Sequence, residues 1–458
     1  MTTITIGLSL SLSGEYAPMG LQAHAAIRLF AADMNAAGGI FVGGAAHQVA
    51  LELHDDASDP ARCASIYRAL CAEHRADILF GPYSSRLVGV AAPIAEEAKR
   101  VLVNHGGAAD DLYERKYRML VGVLSPASEY LTGFVKLLAT LKFWRKRLAI
   151  VAPQSPFARA VAGGVERACA ERRIRRRGVK IRVKYNADFD PATSPATLFP
   201  ALKRNRVNAL LSAGSYAHDV TVMRAVTASA LNIPVLACVA AGVESFRADL
   251  GEHAEGIVGA SQWEEHAAIE PELGPTPSEF ARRMRAAGAG ENSDYVAAQA
   301  YAAGLLAAAA LVNADALDQE RMRSAFSDLR VSTLYGDFSI DRVTGRQVGH
   351  RMLLVQWHQG RKVVIEPEPR DDAATLEFPS GWRLILAGLE MIKMNRGPET
   401  IESDTIDSDR IESDEIAEAE ISGDRIGSEG ADKPGHGSQG PQERRRRRRR
   451  DHDERDKD

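Results

Sequence analysis

Short β-rich apolar runs alternate with longer helical patterns through most of this 458-residue chain, and that alternation limits the fold more than any other feature. Residues 4–10 read as a strand and 20–35 as a helix, with Leu21, Ala25, Leu29 and Ala32 on one face. Gly38-Gly39 stops that helix. Strands are predicted at 48–53, 77–80 and 100–103, and helices at 59–73 and 85–98. Asp59-Pro60 opens the first of these helices with an N-cap side chain and a first-turn proline. The rhythm resumes after Ser125, with helices at 126–141, 158–172, 196–204 and 216–231. Strands at 147–151, 179–185, 208–211 and 234–238 fall between them. Strands separated by helices form a parallel sheet covered on both faces. Two such series in succession imply an α/β protein of two lobes.

Later segments differ. Residues 278–326 read as mostly helical, and the Ala-rich run 296–311 as a buried helix. Strands at 333–340, 349–357 and 361–365, around a turn at 341–345, make a small β segment that folds back onto an existing sheet. Beyond Pro398 the chain changes character. Ile recurs every five residues from Ile401 to Ile426 among Glu, Ser and Asp, and an unbroken basic run covers Arg444 to Arg450. Such dense charge with little apolar content predicts a disordered tail at 398–458. A five-residue β-solenoid would need more coils than six units supply.

Composition excludes several classes. Apolar residues make up 45% and charged residues 26%, which rules out a wholly disordered chain. The net charge is −4, and the acidic excess lies in the tail. The near-neutral body has no electrostatic reason to bind nucleic acid. No uninterrupted apolar stretch reaches the roughly 18–20 residues of a membrane span. Four cysteines do not make a disulfide framework: Cys63 and Cys71 share a helix too far apart to bridge, and Cys169 and Cys238 read as small buried apolar residues. The first residues after Met1 read as a strand, with no basic n-region or apolar h-region, so the chain as written is expected in the cytoplasm.

Three loops would lie at the carboxyl ends of parallel strands, where open α/β sheets bind ligands. The first is Ser13-Gly14-Glu15-Tyr16-Ala17-Pro18-Met19-Gly20, the second Gly81-Pro82-Tyr83-Ser84-Ser85, and the third Asn104-His105-Gly106-Gly107-Ala108. The second meets a helix N-terminus, whose free N–H groups suit a carboxylate or amide oxygen. With Asp55-Asp56 and Glu96-Glu97 between the loops, this set resembles the type I periplasmic binding proteins. The leucine/isoleucine/valine-binding proteins of ABC importers and the cytoplasmic amide-sensing regulators are the relatives in view. The resemblance covers roughly residues 2–367.

That resemblance implies two Rossmann-like lobes with parallel sheets, joined by three crossovers near 121–125, 251–256 and 331–335. Lobe 1 would hold 1–122 and 256–332, and lobe 2 would hold 123–255 and 333–369. A C-terminal extension at 370–397 and the tail at 398–458 would follow. It implies a non-enzymatic solute-binding protein that closes on a small polar ligand, without a cofactor. Ser85 would bind the ligand's polar end, beside Tyr83 and Ser84 of the same loop. Gly106, Gly107 and Ala108 would complete a carboxylate site with their N–H groups. Phe157, Ser215 and Tyr216 would close from the second lobe. The partner would be an ABC permease if the protein is exported and therefore periplasmic, or a regulatory protein if it stays in the cytoplasm.

Two departures from the amino-acid binders bear on the ligand. Ala108 stands where many of them place a hydroxyl residue. Near Ala240-Ala241-Gly242 they carry a carboxylate for the ligand's ammonium group, and here the nearest is Glu244. An amide, a urea-like solute or a carboxylate without an amine fits as well as an amino acid. No Gly-x-Ser-x-Gly elbow surrounds Ser84 or Ser85, so they read as hydrogen-bonding groups and not as nucleophiles. His54, Asp55, Asp56 and His105 could suggest a metal, but neighbours along a strand point to opposite faces, and the structural reading is preferred.

Overall fold

A computed structural model describes residues 2–72, 75–141, 146–185, 195–288 and 293–366. The extension at 370–397 and the tail at 398–458 lie outside the described residues.

The first sheet is built from β1 (Thr2–Leu10), β2 (Ile40–Val42), β3 (Ala45–Asp55), β4 (Ile78–Phe80), β5 (Leu102–Asn104) and β6 (Leu120–Gly122). Its order is β2-β3-β1-β4-β5-β6, and all neighbours run parallel except the β2–β3 hairpin. Helices α1 (Ala17–Ala36), α2 (Pro60–Ala72), α3 (Ser85–Glu97) and α4 (Asp111–Glu114) connect these strands. The Asp59 cap is present, its Oδ1 accepting the Arg62 N–H at 2.7 Å. β4 and β5 are buried along their whole length, as strands covered on both faces must be.

After α5 (Thr132–Thr140) come β7 (Lys146–Val151), α6 (Pro156–Ala170), α7 (Arg172–Arg176), β8 (Val179–Tyr185), α8 (Phe199–Arg204), β9 (Ala209–Ser212), α9 (Tyr216–Thr227), β10 (Val235–Cys238), α10 (Ser245–Leu250) and β11 (Val258–Ser261). Then follow α11 (Pro277–Ala286), α12 (Tyr295–Ala314), α13 (Gln319–Asp328), the hairpin β12 (Val331–Thr333) and β13 (Gly336–Phe338), β14 (Leu353–His358) and β15 (Arg361–Glu366). The second sheet has the order β15-β14-β11-β10-β9-β7-β8. β14 and β15 join it antiparallel, and its other neighbours run parallel.

The α/β class with two sheets is as expected, while two boundaries move. β11 was not anticipated and belongs to the second sheet, pairing with β10 and β14. The chain therefore leaves the second lobe after Ser261, not near 251–256. The third passage also comes later. Gly122 N–H bonds Gly345 O at 2.8 Å, which keeps the 341–345 turn against the first sheet. Only after it does the chain enter β14.

α12 belongs to the first lobe. Its neighbour α13 sends Gln319 Nε2 to Asp77 O at 2.8 Å, while Gln319 Oε1 accepts the Val101 N–H at 2.9 Å. Among the described residues α12 is the one helix long and apolar enough to cross a membrane. Most of that apolar window is buried, with Tyr301 edge-on to Phe30 of α1 at 6.1 Å. Its all-round apolar surface is thus the signature of a core helix. Cys63, Cys169 and Cys238 are buried, and all four cysteines are free thiols.

Candidate functional site

The carboxyl ends of the parallel strands carry the loops singled out from the sequence, and each loop is held by side chains of its own lobe. Asp55 and Asp56 shape the first. Asp56 accepts the Ser9 and Ser11 hydroxyls at 2.6 and 2.5 Å, and Asp55 accepts the Leu12 and Ala57 N–H groups and the Ser13 hydroxyl. These contacts hold the Asp55 carboxyl below its ordinary range, although burial acts the other way. Ser58 Oγ accepts the Tyr16 N–H at 2.9 Å and donates to Ser13 O at 3.0 Å. Tyr16 is thereby set edge-on to Tyr83, with ring centroids 6.1 Å apart. The two aspartates are loop braces.

The loop after β5 has a different state from the expected one. Asn104 Oδ1 accepts the N–H groups of Gly106 and Gly107 at 3.2 and 2.8 Å. Ser85 Oγ accepts those of Ala108 and Ala109 at 3.0 Å each. Every N–H group from Gly106 to Ala109 is thus committed within the first lobe. The glycines have a steric reason as well. A Cβ on Gly106 would fall 2.2 Å from Pro82 O, and one on Gly107 would fall 2.8 Å from Val88 Cγ2. The carboxylate receptor anticipated at Gly106–Ala108 is therefore satisfied by Asn104 and Ser85. The Ser85 side chain keeps its O–H to give. Ser84, the N-cap of α3, makes no side-chain capping bond. The Leu87 and Val88 N–H groups of α3 are taken by Ser84 O, so the polar patch at this end of the helix is the Ser84 hydroxyl with the Ser85 and Arg86 N–H groups. His105 is fully buried against Phe80, and burial depresses its pKa to about 4, so it stays neutral near pH 7.

On the second lobe Asp219 does for two loops what Asn104 does for one. Its Oδ1 accepts the Ser212 hydroxyl at 2.7 Å and the Gly214 N–H at 2.8 Å, and its Oδ2 accepts the Ala240 N–H at 3.1 Å. Ser215 caps α9 through the His218 N–H at 3.4 Å. Tyr216 turns its hydroxyl to Asp249 Oδ2 at 2.5 Å, within its own lobe. Phe157, in the first turn of α6, lies edge-on to Tyr130 at 5.4 Å. Trp263 is a core residue, 5.7 Å from Phe280.

The three passages between lobes meet in one hydrogen-bonded knot that the sequence did not signal. Ser125 N–H donates to Gln262 Oε1 at 2.7 Å, and Ser125 Oγ lies 2.6 Å from His350 Nδ1. His350 Nε2 lies 2.9 Å from Gln262 O. A carbonyl can only accept, so Nε2 carries the proton and Nδ1 accepts from Ser125. Tyr335 OH donates to Gln262 Oε1 at 2.7 Å and stacks on His350 at 4.4 Å, and Gln262 Nε2 donates to Tyr130 OH. Burial lowers the His350 pKa to about 4 against the pull of these contacts. A cavity of about 800 Å³ opens beside the knot, lined in part by Tyr130, Arg346, His350 and Met352. It lies at the hinge and not at the strand ends.

Two α/β lobes joined by three passages, with braced loops at the strand ends, are the architecture of a solute-binding protein. The chain belongs to the periplasmic binding protein family, whose model matches residues 3–362. Its members bind solutes and do not transform them. Three solved structures share the fold. The branched-chain amino acid transporter substrate-binding protein of Streptococcus pneumoniae, in complex with isoleucine, is 19% identical with a TM-score of 0.66, covering 82% of this chain and 100% of its own. A solute-binding protein of an ABC transporter from R. palustris, in complex with benzoate, is 17% identical with a TM-score of 0.65, covering 81% and 98%. Another, from Rhodopseudomonas palustris HaA2 with p-hydroxybenzoic acid, is 17% identical with a TM-score of 0.68, covering 80% and 96%.

Proposed function

We propose that this chain is the solute-capturing component of an ABC-type importer. A small polar solute with a carboxylate or amide end docks at Ser84, the Ser85 hydroxyl and the N-terminus of α3. Tyr16 and Tyr83 flank it from the first lobe, and Phe157 and Tyr216 approach from the second. The observation that carries the reading is the contrast between the loops: the N–H groups of Gly106 to Ala109 are committed, while the Ser85 and Arg86 N–H groups and the Ser84 hydroxyl remain open. A helix N-terminus with free donors and positive potential selects an oxygen-bearing, anionic end.

Closure is driven by contacts that exist only when the lobes meet. The closed form is the one a permease would read, and the proposed site of action is the periplasm. The relatives solved with isoleucine, benzoate and p-hydroxybenzoate support a small carboxylate as the class. Calorimetry on the purified chain against amino acids, amides and carboxylates tests the reading. Saturable one-site binding, with contraction in solution scattering, is the expected result. Absence of binding across the panel would overturn it.

A further inference from the structure

A second polar cluster, around Lys362, meets the loop after β10. Lys362 of β15 extends a side chain that is only 5% exposed. Its Nζ donates to Gly242 O at 2.9 Å. It stands 3.1 Å from Glu264 Oε1, 3.4 Å from Glu244 Oε1 and 3.5 Å from Asp294 Oδ1. Glu244 lies in the connection after β10, and Glu264 lies just beyond β11. Asp294 is the N-cap of α12 on the first lobe, where its N–H donates to Gln22 Oε1 of α1 at 3.3 Å. Its Oδ1 also accepts the Glu244 N–H at 3.1 Å. The cluster thus joins the two lobes.

It also lies at the strand ends that carry the proposed site: Gln22 is in the second turn of α1, just past the loop that carries Tyr16, and Gly242 and Glu244 lie in the connection after β10. Tyr295 follows Asp294, and its phenol is pushed up by burial, then by neighbouring Tyr83 and Tyr130, then by Asp294. Tyr216 is pushed up by burial and by Asp249, with Asp294 contributing. Asp294 therefore stands within electrostatic reach of aromatic residues from both sides of the cleft.

Three carboxylates and a carbonyl around one ammonium make the cage that would hold a ligand's amino group. Here the chain's own ammonium occupies it. Burial pushes Glu264 up to about 7 against the pull of Lys362, so part of the surplus negative charge is quenched near neutral pH. A solute bringing its own ammonium group would be stripped of water beside a cage already filled.

We infer that Lys362 determines specificity: by filling the acidic cage with its own side chain, it makes the cleft select small carboxylates that lack an amino group. The inference rests on the solute-binding reading and narrows it. The test is calorimetry of the full chain at pH 7 with leucine and with 4-methylpentanoate, the same skeleton without the amine. The amine-free acid is expected to bind at least about tenfold more tightly. Lys362→Met should shift that ratio at least about tenfold toward leucine. Lys362→Met/Glu264→Gln, which relieves the charge left behind, serves if the single variant does not fold. Leucine binding as tightly as 4-methylpentanoate to the unaltered chain, or a ratio unmoved in a folded variant, would overturn the inference and leave the solute reading standing. Binding of neither acid, nor of any other panel member, would overturn both.

Discussion

Ser125 Oγ and His350 Nδ1 lie 2.6 Å apart, although 225 residues separate them in the chain. The contact joins the first passage between the lobes to the third, and Gln262 of the second passage bonds both residues. A hinge of three strands of chain is thereby held at one point. Tying all three passages at one point favours rotation about it over sliding on independent linkers.

Two buried histidines, one of them in that knot, make stability depend on pH. His350 and His105 are buried neutral, each with a pKa near 4 against an ordinary value of 6.5. Between those two values the unfolded chain binds more protons than the folded one, so stability falls as pH drops from about 6.5 toward 4. Each histidine contributes a loss of about 3 kcal/mol across that window. Denaturant titrations at pH 7 and pH 5 should show the drop, and His105→Leu should flatten it. An acid limb unchanged in that variant would remove His105 from the account.

Ser85 and Ser84 should separate by experiment. Ser85→Ala leaves the Ala108 and Ala109 N–H groups without their acceptor, at a cost of about 1–3 kcal/mol of stability. Ser84 makes no side-chain capping bond, so the melting point of Ser84→Ala should hold while solute affinity falls by about 1 kcal/mol. Equal melting points for the two variants would show that Ser85 does not brace the loop.

Asp219→Ala removes one acceptor that serves Ser212, Gly214 and Ala240. A loss of about 3 kcal/mol in urea unfolding is expected, because three donors lose a charged partner together. Asp219→Asn should recover part of it. A loss below about 1 kcal/mol for the alanine variant would mean water replaces the carboxylate.

Gly106→Ala places a methyl group 2.2 Å from the Pro82 carbonyl oxygen, where only backbone can yield. Solute binding should weaken at least about tenfold and the melting point should fall, since the loops carrying Ser84 and Gly106 must separate. Unaltered affinity would show that the spacing of these loops is irrelevant to the site.

Much of the architecture was legible because it rests on local rules. Asp59-Pro60 announced α2, and the apolar runs at β1, β4 and β9 announced strands. β11 was not legible: Val258-Gly259-Ala260-Ser261 has one β-branched residue and a glycine. That glycine is there because a Cβ would lie 2.4 Å from the Ala241 carbonyl carbon. Tertiary crowding, not propensity, chose the residue. The loops of the site were legible as strand-end turns, but the partners of their N–H groups were not. Asn104 satisfying its own loop and Ser85 reaching across from α3 depend on distances that no spacing encodes. Tyr130, Gln262, Tyr335 and His350 meet only through the fold. Lys362 and its three carboxylates come from four segments, so their convergence left no motif.

The placement of α12 has a consequence for the nascent chain. The strands of the first sheet are all synthesised by Gly122, yet the helix that lies along α1 on that lobe ends at Ala314. While a ribosome makes the intervening second lobe, Phe30 of α1 waits without Tyr301 to cover it. Chaperone occupancy during translation should therefore begin once the first sheet has emerged and end only after the long Ala-rich helix has arrived.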